Sequence, residues 1–172
     1  REAFLTLMQE QKDRARADNL AKKSGHLDAS VYHRIAADLG GRSEFVGYDR
    51  MSEGAKVAAI LVDGESVPAA TGPAEVQLVL DRTPFYAESG GQLADHGAIV
   101  TDTGTSVKVS DVQAPIKGLS VHTGFLSAGD VVIGDTVTAS IDPARRHAIA
   151  QAHTATHMVH QALHEVVSDQ AT

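Results

Sequence analysis

The chain has 172 residues, a formal net charge of −7, no cysteine and a hydrophobic share of 42%. That charge argues against broad, non-specific nucleic-acid binding, and no apolar run approaches the roughly 20 residues a membrane span requires. Without cysteine there is no disulfide and no thiolate ligand within the chain, so any metal must be held by His, Asp or Glu, or by residues lying outside it. The charge is unevenly spread. Residues 1–23 carry Arg1, Lys12, Arg14, Arg16, Lys22 and Lys23 against four acids, a balance of +2 that leaves −9 for the remainder. A solvated helix on an acidic domain accounts for this. With no signal-peptide pattern, the chain reads as soluble and cytoplasmic.

Good helix formers fill residues 1–23, with an apolar start at Phe4, Leu5 and Met8, and Ser24-Gly25 ends the run. Asp28 is placed to cap a second short helix carrying Val31, Tyr32, Ile35 and Leu39, stopped by Gly40-Gly41. From Phe45 to Ile141 the pattern turns to short β-rich runs: Ala55–Val62, Val76–Leu80, Ala98–Thr101, Val107–Val112, Leu119–Thr123 and Thr136–Ile141. Turn signals separate them at Asp63-Gly64, Thr71-Gly72-Pro73, Thr103-Gly104 and Ala128-Gly129-Asp130. Six or so strands at near-regular spacing predict a small β-barrel, and Asp63-Gly64 predicts a two-residue hairpin. Asp142-Pro143 then reads as N-cap and first helical position of a helix running to about Val167. The fold class is α+β: helices, barrel, helix. The chain opens on Arg1 in a helical pattern and closes just after another helix, which reads as a piece of a longer polypeptide.

Five of the nine histidines fall in this last helix, and His153-Thr154-Ala155-Thr156-His157 sets two of them four positions apart. Residues i and i+4 share a helix face, so both rings can reach one point, and imidazole is a common Zn²⁺ ligand. His160 and His164 continue the stripe. Four rings in a line cannot converge on one tetrahedral ion, so this second pair is expected to be half-buried and hydrogen-bonded to backbone or carboxylate. The second feature is the loop Thr83–Gly97, in which Gly90-Gly91 permit backbone conformations barred to other residues. Glu88, Ser89 and Gln92 beside the glycines make it unusually polar for a plain connector, and such a loop can bring amide N–H groups close to a ligand.

Taken together, the Thr-Pro-Phe-Tyr-Ala-Glu-Ser-Gly-Gly-Gln run of residues 83–92, about 60 residues ahead of His-Thr-Ala-Thr-His, resembles the alanyl-tRNA synthetases. Arg145-Arg146-His147-Ala148-Ile149 is similar to that family too. The resemblance implies that residues 1–41 end a helical tRNA-recognition region, 42–141 form a translation-factor-like barrel, and 142–172 supply the first helix of an editing domain. It further implies hydrolysis of seryl- or glycyl-tRNA made in error, around a Zn²⁺ held by His153, His157 and a later Cys-x-x-x-His pair. Thr156 matches the hydroxyl residue lining the amino-acid pocket, and Glu88, Ser89, Gly90, Gly91 and Gln92 are candidates for the substrate side. The Cys-x-x-x-His half is absent from this chain, and the family's Gln-x-Gly-Ser segment would begin just past Thr172. Zinc binding by this piece should therefore be weak or nil and its deacylase activity negligible. ATP and Mg²⁺ would be bound outside it, and its partners would be the acceptor end of tRNA(Ala) and the rest of the synthetase.

Three other readings compete. A free-standing trans-editing hydrolase shares both motifs, but would not need the basic N-terminal helix or residues 28–41. A non-catalytic RNA-docking barrel would account for an incomplete active site. A zinc peptidase is disfavoured because Thr154 stands where a His-Glu-x-x-His helix carries its general base. The last helix has an apolar side without an evident cover, so a non-native dimer of the piece is a further expectation.

Overall fold

All six predicted strands form, and they close on one another. The structure is a computed structural model that describes residues 29–166. The predicted helix over 1–23, its stop at Ser24-Gly25, the Asp28 cap and the end at Val167 lie outside the described residues. In chain order come helix α1 (Ala29–Asp38) and strands β1 (Glu44–Phe45), β2 (Ser52–Val62), β3 (Glu65–Val67), β4 (Ala69–Thr71), β5 (Ala74–Leu80) and β6 (Arg82–Thr83). Strands β7 (Gly97–Thr101), β8 (Ser106–Ile116), β9 (Leu119–Leu126), β10 (Asp130–Val132) and β11 (Thr136–Ile141) follow, then helix α2 (Pro143–Val166). The antiparallel order β11-β7-β8-β9-β5-β2 is closed by β2 pairing with β11, giving a six-stranded barrel without a free edge in that ring.

Period-two burial sets the interior. Val76, Leu78 and Leu80 of β5 point inward with Val107, Val109, Leu126, Val137 and Ala139 from other strands. Burying each of the larger aliphatic side chains contributes about 1.5–3 kcal/mol. Strand β2 changes phase partway: Ala55 and Val57 face the interior, a bulge follows between Val57 and Ala59, and Ile60 then faces in. The bulge turns Ala59 and Leu61 outward. There they meet Val79, Leu119 and Val121 from the barrel's outer surface, and α1 covers the patch with Tyr32, Ile35 and Ala36. The Tyr32 hydroxyl donates to Gln77 at 3.3 Å. The hairpin at Asp63-Gly64 is as expected, with φ of 51° and 86° at the two turn residues.

Among the described residues, the polar side chains of His122 and Thr83 are both fully buried. His122 donates from Nδ1 to the Leu78 carbonyl at 2.9 Å and accepts at Nε2 from the Thr83 hydroxyl at 2.7 Å. The Thr83 oxygen in turn accepts the Phe85 N–H at 3.1 Å. Every polar atom of the ring thus has a partner, which makes its burial tolerable. Burial pushes this imidazole down to about 4, against a smaller upward pull from the Leu78 carbonyl.

Candidate functional site

Helix α2 leaves the barrel from a tightly fixed start. Asp142 caps it, its Oδ1 accepting the N–H groups of Ala144 at 2.9 Å and Arg145 at 3.1 Å, and Pro143 occupies the first turn. Arg146 forks onto Asp95, donating from Nε to Oδ1 at 2.8 Å and from Nη2 to Oδ2 at 2.5 Å. The same guanidinium donates to the carbonyls of Gly47 at 2.8 Å and Pro84 at 2.9 Å. Asp95 is 2% exposed and also accepts the Tyr86 N–H at 2.7 Å. One cation therefore joins the first turn of α2, both ends of the loop after β6, and the segment after β1. Planar, bidentate pairing makes such a joint directional as well as strong.

The polar loop ends in a tight turn. Ser89 and Gln92 exchange backbone hydrogen bonds at 3.3 and 3.0 Å, and the glycines between them have φ of 60° and 80°. Positive φ at both central residues is the type I′ geometry, which explains two adjacent glycines here. Glu88 is turned to the barrel: its N–H donates to the Val112 carbonyl at 2.9 Å and its carboxylate accepts from Gln113 at 3.0 Å. The Tyr86 hydroxyl donates to the Ser89 carbonyl at 3.2 Å. Of the five loop candidates, Gly90, Gly91 and Gln92 border the cleft described next, while Glu88 and Ser89 are bound into the loop behind it.

Between this turn and α2 lies a cleft of about 780 Å³, and His153, Thr156 and His157 all open onto it. The Nε2 atoms of His153 and His157 are 2.8 Å apart, with ring centroids 4.6 Å apart. Two nitrogens bound to one tetrahedral Zn²⁺ sit about 3.3 Å apart, so a small ring rotation converts this contact into a chelate. The pair fits half of a zinc site. No group of three or more His, Cys, Asp or Glu side chains is gathered for a metal among the described residues. The Thr156 hydroxyl donates back along the helix to the Ala152 carbonyl at 3.0 Å, which leaves its oxygen lone pairs facing outward as acceptors. His160 and His164 form a second neighbouring pair, centroids 4.5 Å apart and ring planes tilted by 58°. His160 is exposed rather than half-buried, because α2 buries none of its residues.

Residues 1–145 match the family described as tRNA synthetases class II (A). The chain belongs to that family. This synthetase chain is 56% identical over 170 residues to the alanine–tRNA ligase of Bifidobacterium longum, 98% of this chain and 19% of the relative. It is 49% identical over 170 residues to that of Thermobifida fusca, 99% of this chain and 19% of the relative. For Kineococcus radiotolerans the figures are 47% over 169 residues, 98% and 19%. The synthetase chain thus spans about a fifth of the length of the relatives it matches.

Reading the sequence left Asp95, His96 and Arg146 without a role. Asp95 and Arg146 are 51 positions apart, so no local periodicity links them. The available signal is an acid near the end of the polar loop and an arginine doublet in the first turn after a helix cap. His96 borders the cleft, and its imidazole is pushed down first by burial and then by the nearby Arg145 cation.

Proposed function

We propose that this chain is part of an alanine–tRNA ligase and supplies half of a zinc-dependent proofreading site for seryl- and glycyl-tRNA(Ala). The observation that carries the reading is the 2.8 Å approach of the His153 and His157 nitrogens on one wall of a cleft. The Gly90-Gly91 turn forms the facing wall. The chemical need is clear: an alanine pocket cannot strongly reject smaller glycine or the near-isosteric serine, so a second, hydrolytic site must remove them. A Zn²⁺ held by the two imidazoles and by ligands from elsewhere in the ligase would supply a fixed positive charge that polarises oxygen atoms near the ester.

Thr156 supports the choice of substrate. Its hydroxyl hydrogen is engaged by Ala152, so the oxygen is left to accept a hydrogen bond from a serine hydroxyl. The methyl of alanine offers no donor. The ATP, Mg²⁺ and alanine sites belong to parts of the ligase outside this chain, which works in the cytoplasm with the acceptor end of tRNA(Ala). The test uses the complete ligase. Thr156→Val should narrow the preference for seryl- over alanyl-tRNA(Ala) in deacylation; unchanged discrimination would refute the role given to Thr156. The 172-residue chain alone should show no appreciable deacylation, and zinc-dependent hydrolysis of seryl-tRNA(Ala) by it would contradict the half-site reading.

A further inference from the structure

Along α2 the wall of the cleft changes character from one end to the other. Arg145, Ile149, Ala152, His153, Thr156 and His157 share one helix face and all border it. The order is cationic, then apolar, then imidazole. Leu93, 54% exposed, also borders the cleft and adds apolar surface to it. The Arg145 guanidinium donates from Nε to the Ala94 carbonyl at 3.2 Å, and its terminal N–H groups carry no other hydrogen bond among the described residues. That single bond aims the guanidinium without using it up. Of the neighbouring Asp142 carboxylate, Oδ1 is occupied by two backbone amides. His96 beside it titrates below its ordinary value, so Arg145 is the fixed positive charge of this end.

We infer that Arg145 binds a backbone phosphate of the nucleotide strand whose aminoacylated 3′ end reaches His153 and His157, with Leu93 and Ile149 seating a base between them. This rests on the proofreading reading above and adds the substrate's direction in the cleft: phosphate toward Arg145, ester toward the imidazoles. The dimensions agree. From position 145 to 157 the helix rises about 18 Å. Stacked nucleotides advance about 3.4 Å each and more when splayed apart, which leaves room for a few at the end of a single strand. Arginine suits the task because its planar fork pairs with phosphate oxygens. It also explains how a chain of net charge −7 can hold a polyanion at one chosen point.

The test compares two substrates in the complete ligase: seryl-tRNA(Ala), and the seryl ester of adenosine, which has no phosphate. Arg145→Ala should raise KM for seryl-tRNA(Ala) about tenfold, as expected for one charge-assisted hydrogen-bonded contact, with a much smaller change in kcat. The salt dependence of kcat/KM should weaken by about one unit of slope. On the adenosine ester the KM penalty should shrink to about twofold or less, and Arg145→Lys should recover most of the loss on tRNA as a point charge. An unchanged KM and salt slope for tRNA would overturn the inference. So would equal losses on both substrates, the mark of a merely structural role. If the unsubstituted ligase hydrolyses neither substrate, the proofreading reading itself falls, an outcome distinct from either of those.

Discussion

At Arg146 a single guanidinium gathers chain segments that are far apart in sequence. Removing it would leave the Asp95 carboxylate buried without its cation, so Arg146→Ala should lower stability by about 3 kcal/mol, measured by urea unfolding. Arg146→Lys should recover less than half, because an ammonium cannot reproduce the fork. An unchanged urea midpoint would contradict this joint. His122 gives the matching pH effect. Its folded value is about 4 and its ordinary value 6.5, so the unfolded chain binds more protons between those limits. The contribution is complete above about pH 6.5 and is lost as pH falls toward 4, about 3 kcal/mol in all. The melting temperature should therefore fall through that window, and His122→Phe should flatten the slope; an equal slope in the variant would count against it. The His153–His157 pair was legible in the sequence because helical period alone brings i and i+4 together. The Arg146–Asp95 joint was not, since only the closed fold brings positions 51 apart into contact.

Among the elements, the barrel strands were read correctly because each is long enough to show alternation or a continuous apolar run. Strands β1, β3, β4, β6 and β10, of two or three residues, have no period to read. The apolar stripe of α1 was legible too, but its seat on β2, β5 and β9 depends on the phase change at the β2 bulge. The Gly90-Gly91 pair was visible as a turn, and only the fold shows that Glu88 faces Gln113 while the glycines face the cleft. Gly91→Ala should cost about 1–2 kcal/mol, because an L side chain is strained at its φ of 80°. Gly91→Asn should cost less. Helix α2 is held at its first turns and buries no residue along its length, with Met158, Val159, Leu163 and Val166 exposed. Its amides beyond about Ala150 should exchange with solvent far faster than those of the barrel strands. Comparable protection would mean that this helix has a cover of its own.

Over the whole molecule, a closed barrel presents a helix that carries two imidazoles on one face. The closed ring of strands fixes the loop after β6, that loop fixes the start of α2, and α2 carries two imidazoles to the cleft. Under the proposed function these two imidazoles would supply two of the four ligands of a tetrahedral Zn²⁺. None of the described helices is long and apolar enough to cross a membrane. The most direct measurement is the zinc content of the complete ligase after exhaustive dialysis, with and without the double substitution His153→Ala, His157→Ala. If other zinc sites are present they remain in both, so the difference is the quantity to read. One equivalent of Zn²⁺ per chain should disappear with the two imidazoles, together with hydrolysis of seryl-tRNA(Ala) but not the ligation of alanine. Equal zinc in the two proteins would contradict the account.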